Sequence, residues 1–204
     1  MDPNPLVPIA TDAARRPPAP GRLELVRQFL NTFDVETGRE DLAAPAQLAT
    51  WLSERGLLRR GTMLAAADLA TAIAFRESLR DVLEADAGHP DTRGSRATLD
   101  EIAARVPLRV RIGSGPLLEP VSDRGVDAAI GPLLAIAYQA SVDGTWSRLK
   151  VCRNDTCRWA FYDSSRNHSG AWCRMAICGN RMKGRAFRRR RRATRAAAEQ
   201  PAGG

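Results

Sequence analysis

The four cysteines of this 204-residue chain fall in two pairs of identical spacing, Cys152 with Cys157 and Cys173 with Cys178, fifteen residues apart. A structural zinc ion wants four soft donors in a tetrahedron at about 2.3 Å, and two close pairs can each supply one edge of it. The connection "RWAFYDSSRNHSGAW" is long enough to bring the second edge round. Four residues within each pair, where two are common, make the spacing a departure from the usual knuckle. Unligated core thiols and local disulfides are the alternatives. Disulfides need an oxidising compartment. The first twenty residues hold five prolines before position 20 and no apolar run of signal-peptide length, and no stretch approaches the roughly 18 apolar residues of a membrane span. The chain therefore reads as cytoplasmic, with reduced thiols. The spacing predicts one structural zinc ion held by Cys152, Cys157, Cys173 and Cys178, with no open coordination position.

A shape follows from the flanking residues. "RLKVC" predicts a short strand entering the first knuckle, and "CRWAFYD" alternates as a strand leaving it. After the polar loop "SSRNHSG" a helix begins at the second pair, giving a treble-clef-like finger. Its few large apolar residues, Trp159, Phe161, Trp172, Met175, Ile177 and Phe187, make a mini-core so small that the metal supplies most of the folding energy, on the order of 10 kcal/mol. His168, between the pairs, reads as a solvated loop residue because four thiolates already complete the shell. His89 has no partner visible in the sequence.

Charge is divided unevenly. The chain carries +8 overall, but from Arg148 onward the balance is +12 and before it −4. Five consecutive arginines, Arg188 to Arg192, follow the finger. On a helix they surround the axis, and like charges at i,i+4 repel. Phosphates would relieve that repulsion, and arginine's planar fork binds them bidentately. Arg181, Lys183, Arg185, Arg188, Arg189 and Arg192 are the candidate nucleic-acid contacts; a solvated tail is the alternative. DNA is the favoured partner and RNA the second choice, since Trp159, Phe161, Tyr162 and Trp172 could stack on unpaired bases if they are not core.

The first 144 residues read as mainly helical. Residues 1–20 predict a disordered leader, 21–144 a helical domain, 145–193 the finger with its basic helix, and 194–204 a disordered tail. Leu23, Val26, Phe29, Leu30 and Phe33 recur at helical spacing and predict a first helix ending near Gly38. Pro45 starts a second that Gly56 stops. A long helix spans about Leu64 to Asp86, and "AGHPDTRGS" is a loop. "TLDE" predicts a capping box at Thr98 and Glu101. "LRVRI" and "LLEPV" form a hairpin about the turn "GSGP", and a last helix covers Val126 to Val142. The fold class is mainly α with a small β-hairpin element, α+β. Asn31 and Arg76, polar on apolar helices, are candidates to line a ligand pocket, or they make ordinary helix–helix hydrogen bonds. Glu36 and Glu40 read as a solvated helix end.

At "RLKVCRNDTCRWAFYDSSRNHSGAWCRMAICGNRMKGRAFRRRRR" the chain resembles the CGNR-type zinc finger, whose tetrapeptide here is Cys178, Gly179, Asn180 and Arg181. The preceding part resembles the ABATE domain through "FLNTFDVETGREDLAAPAQLATWLSERGLL", with its Asn31–Thr32 and Trp51–Leu52 pairs. Together the resemblance spans about residues 22 to 193. It implies a stress-induced transcription regulator whose four cysteines bind zinc. "NHSGAWC" departs from relatives, where arginines are common, so Gly170 and Ala171 thin the charge there. Asn180 could reach a base or phosphate, cap backbone groups, or hydrogen-bond a zinc-bound sulfur.

The function that results is a DNA-binding regulator, with the helical body sensing an effector or forming a homodimer. An RNA- or ribosome-associated zinc protein and a protein-docking zinc module are the alternatives. An enzyme is disfavoured: the chain has no phosphate-cradling Gly loop, no nucleophile–base pair and no carboxylate cluster at metal-ligand spacing.

Overall fold

The computed structural model describes residues 16–87, 94–112, 116–122 and 125–198. Most of the predicted leader, the middle of the "AGHPDTRGS" loop with His89, residues 113–115 of the hairpin turn and the end of the predicted tail lie outside the described residues. Residues 16–20 are pinned: Ala19 is buried, its N–H donates to Glu24 Oε2 at 2.8 Å, and Arg16 reaches the carbonyl of Trp172 at 3.1 Å.

Helix α1 (Leu23–Leu30) buries Leu23, Val26, Phe29 and Leu30 on one face, as its spacing requires. It ends well before Gly38, and side chains explain why. Thr32 Oγ1 donates to the carbonyl of Phe29 at 2.7 Å, and Arg80 takes the Leu30 carbonyl at 2.5 Å. The chain then turns back in a two-residue pairing of β1 (Phe33–Asp34) with β2 (Arg39–Glu40). Glu40 is accordingly not a solvated helix end. Its carboxylate grips Arg76 with a two-pronged contact at 2.7 and 2.6 Å.

Helix α2 (Pro45–Glu54) starts on its proline and buries Leu48 and Leu52. Helix α3 (Ala66–Asp86) is the central element, burying Ala72, Phe75, Leu79, Val82 and Leu83. Helix α4 (Ser95–Ala104) begins before the predicted capping box, so Thr98 lies inside it and back-bonds to the Gly94 carbonyl. Strands β3 (Leu108–Ile112) and β4 (Pro116–Pro120) pair antiparallel, Val110 opposite Leu118. Helix α5 (Asp127–Val142) packs along β4 and α1. Among the described residues no helix is long and apolar enough to cross a membrane.

The finger does not hang from this body as a separate bead. Strands β5 (Leu149–Val151) and β6 (Ala160–Tyr162) send Leu149, Val151 and Ala160 into the same apolar core as α1, α3 and α5. Asn31 then matches the edge of β6. Its Nδ2 donates to the Ala160 carbonyl and its Oδ1 accepts from the Ala160 N–H, both at 2.8 Å. Arg80, with no exposed surface, donates to the carbonyls of Leu30 and Arg158 and to Glu77. Arg158 in turn forks onto Glu84 at 2.6 and 3.0 Å and reaches Asp81 at 2.5 Å.

Candidate metal centre

Cys152 follows β5 directly, and the chain folds tightly after it. The Cys157 N–H donates to the Asn154 carbonyl at 2.7 Å, and Arg158 adopts a left-handed φ of 48° to re-aim the chain into β6. The Cys152 N–H closes the ladder on the Trp159 carbonyl at 3.0 Å. Cys173 arrives by the loop after β6. Cys178 sits in a wide helical turn, Met175–Gly179, where both Cys178 and Gly179 donate to the Arg174 carbonyl. Helix α6 (Asn180–Ala198) continues from that turn.

The four sulfurs lie within 4.8 Å of one another, and all four cysteines are buried. Cys157 to Cys173 is 3.6 Å and Cys173 to Cys178 is 3.7 Å. A tetrahedron with Zn–S bonds of 2.3 Å has edges of about 3.8 Å, so these separations fit zinc. Disulfides are absent from this cluster: all four are free cysteines. Crowding sets the thiols against one another. Hydrogen bonds with Cys157 and Cys173 hold the Cys152 thiol below the ordinary thiol range, while those with Cys152 and Cys157 push Cys173 above it. A dication at the centre removes that conflict, because a coordinating thiol is deprotonated outright. The cysteines hold one structural Zn2+.

The residues around the sulfurs fix them. Asn154, fully buried, donates through Nδ2 to Cys178 Sγ at 3.8 Å, and its Oδ1 accepts from Thr156 and from Arg185. Trp159 and Phe161 pack beside the cluster with Trp172. Gly179 is the residue that fits the turn. A Cβ there would collide with Met175 Sδ and lie 3.1 Å from Trp172 Cδ1. Asp163, also fully buried, organises the loop between the pairs. It accepts from Lys150 Nζ at 2.7 Å, Ser165 N at 3.1 Å and Gly170 N at 2.7 Å. Burial alone would raise its pKa, but the Lys150 ammonium and these N–H groups hold it well below the carboxylate range. Gly170 lies so close that an added Cβ would meet the Asp163 carboxylate at 2.6 Å.

This finger and the helices it rests on match known families. Residues 148–191 match the family described as "CGNR zinc finger". Residues 23–143 match ABATE, described as "Putative stress-induced transcription regulator". The chain belongs to the ABATE family. No curated protein matches the chain. Neither the ABATE body nor the CGNR finger is an enzyme family, and the pairing of a regulator domain with a zinc-binding finger makes a regulatory, zinc-binding role plausible.

The predicted site residues separate into three groups. Around the metal all four cysteines converge. The basic residues spread along α6: Lys183, Arg185, Arg188, Arg189 and Arg192 are exposed, while Arg181 is half-buried and paired with Glu36 of the ABATE body at 2.8 Å. Asn31 and Arg76, the candidates to line a ligand pocket, are both engaged by groups of the protein itself. Asn31 spends its amide on Ala160, and Arg76 divides its donors among Glu40, Glu77 and Thr32. One open cleft among the described residues, of about 380 Å³, lies between the start of α1, β4 and α5, floored by Leu23, Leu118, Ile136 and Ala140. Asn180 caps a backbone carbonyl, that of Ala176 at 3.1 Å, and it is Asn154 that reaches a ligand sulfur. Met175, Ile177 and Phe187, predicted in the mini-core, are 46%, 41% and 54% exposed, because the wide turn and α6 stand off the finger's interior. The sequence signal for Asn154 was present: an uncharged amide enclosed between two cysteines, "CRNDTC".

Proposed function

We propose that this protein is a DNA-binding transcription regulator in which the zinc centre fixes the root of α6 and the arginines of α6 contact the phosphate backbone. The observation that carries this reading is the state of Arg188 to Arg192. All five are exposed, and no ion pair among the described residues engages them. The root of the same helix is tied down, through Arg181 to Glu36 and through Arg185 to Asn154. A helix charged on every side suits a groove walled by phosphates. The major groove of B-DNA is about 12 Å wide and admits an α-helix, whereas the A-form groove is too deep and narrow. This favours duplex DNA over RNA. The ABATE body then serves for sensing or dimerisation, in the cytoplasm.

A protein-docking role for the finger is the second reading, favoured by exposed Met175, Ile177 and Phe187 at the root of α6. One experiment separates the readings. The full chain and a truncation after Met182 are titrated against a short random duplex and a hairpin RNA across a salt series. Each neutralised phosphate contributes a log–log slope of roughly −0.9 on duplex DNA, so five arginine contacts give roughly −4.5. The reading requires that slope from the full chain, its loss on truncation, and duplex that hairpin RNA does not displace. Zinc-loaded protein that binds neither nucleic acid would move the finger to protein docking.

A further inference from the structure

A two-stranded sheet has two outer edges, and this chain treats its edges differently. In an antiparallel pair, residues alternate between those whose N–H and C=O face the partner strand and those whose groups face away. In the finger, the bond from Cys152 N to Trp159 O sets the alternation, so Ala160 on β6 turns its N–H and C=O away from β5. Asn31 fills both. In the other hairpin, Val121 N donates to Pro107 O at 3.0 Å. With Leu108 opposite Pro120, that bond places Arg109 and Arg111 as the residues bonded to β4. Leu108, Val110 and Ile112 then turn their N–H and C=O outward.

On β4 the outward positions are Pro116, Leu118 and Pro120. Two of these three have no N–H to offer, which blunts that edge as prolines commonly do. Strand β3 has no such protection. Among the described residues, no hydrogen bond reaches the outward groups of Leu108, Val110 or Ile112. Its side chains are equally bare, with Val110 64% and Ile112 76% exposed. An open edge with exposed branched apolar residues is a template for another strand.

We infer that β3 pairs antiparallel with β3 of a second copy of this chain, about a two-fold axis through Val110, to make a four-stranded sheet. The strand is complementary to itself in that arrangement. Its outward groups at 108, 110 and 112 are symmetric about Val110, so the same edge serves both copies, as an isologous interface requires. Val110 meets the partner's Val110, and Leu108 meets the partner's Ile112, so one face of the new ladder is wholly apolar. On the other face Arg109 lies opposite the partner's Arg111. Glu119 already holds both arginines of its own chain, at 3.3 and 3.1 Å, which moderates that like-charge contact. A dimer also gives two α6 helices per particle.

The test is the mass in solution of the zinc-loaded full chain, by sedimentation equilibrium, for the wild type, Val110→Pro, Val110→Lys and Leu117→Lys. Val110→Pro deletes an outward N–H that β4 does not use, and Val110→Lys places two ammonium groups across the axis. Leu117→Lys alters an exposed residue on the other strand. The wild type and Leu117→Lys should have twice the chain mass of 22.2 kDa, and both Val110 variants the mass of one chain, with unchanged far-ultraviolet circular dichroism. The second substitution guards against one variant failing to fold. A wild type that is monomeric alone, as it would be if this edge were kept for a strand of a different protein, overturns the inference. So does a dimer that both folded Val110 variants preserve.

Discussion

Single side chains decide how the metal centre and its surroundings hold. Asn154 spends its amide on Cys178 Sγ and on Arg185, joining the ligand set to the basic helix. Groups that orient metal ligands typically change affinity 10- to 100-fold when removed. Asn154→Ala should therefore weaken zinc binding by roughly tenfold or more in a competition titration against a chelating dye. Asp163 acts on the loop between the pairs, and its effect depends on pH. Its folded pKa lies below the unfolded value of roughly 3.9. The stability it contributes is thus fully present above about pH 4 and is lost as pH falls below that. The wild type should unfold at a higher denaturant concentration than Asp163→Asn at neutral pH, and the gap should narrow below about pH 4. A gap that stays constant to low pH would contradict the role given to the carboxylate. The ligands were legible in the sequence because thiols at fixed spacing admit few uses. Asp163 is not legible there, since a carboxylate in a polar loop is ordinarily solvated and only the fold buries it, and Asn154 shows only as an amide between two cysteines.

At the level of elements, the sequence showed where helices and hairpins lie better than where they stop. Pro45 and the apolar periodicity of α3 and α5 placed those helices. The early end of α1 depended on Arg80, fifty positions away, taking the Leu30 carbonyl. Asn31 and Arg76 looked like pocket residues for the same reason: a polar group on an apolar face implies a partner, and the sequence does not say which. Here the partners are strand β6 and Glu40. Asn31→Ala would leave the N–H and C=O of Ala160 buried and unpaired, at a cost of about 2–4 kcal/mol. Chemical denaturation should show that loss, and amide exchange at Ala160 should accelerate. Arg80→Met, which strips donors from the Leu30 and Arg158 carbonyls, should cost about as much. A loss under 1 kcal/mol in both variants would mean that the finger is not held to the body in the way the hydrogen bonds indicate.

For the whole molecule, strands of the finger and the ABATE helices share the main apolar core. Leu149, Val151 and Ala160 of the finger pack with the ABATE helices, while the zinc cluster has a small core of its own with Trp159 and Phe161. The charge division acquires a geometry: acidic residues of α3, Asp81 and Glu84, hold Arg158, while Arg188 to Arg192 of α6 have no ion pair among the described residues. Removing zinc should therefore destabilise the body as well as the finger, visible as a lower melting temperature of the entire helical signal after chelation. On the proposed function, zinc-held geometry is what presents α6 to nucleic acid. The most direct test measures zinc content and random-duplex affinity on the same samples of wild type and Cys173→Ser. One zinc per wild-type chain with salt-dependent duplex binding, and loss of both in Cys173→Ser, is the expected result. A zinc-free Cys173→Ser chain that binds duplex as tightly as the wild type would contradict it.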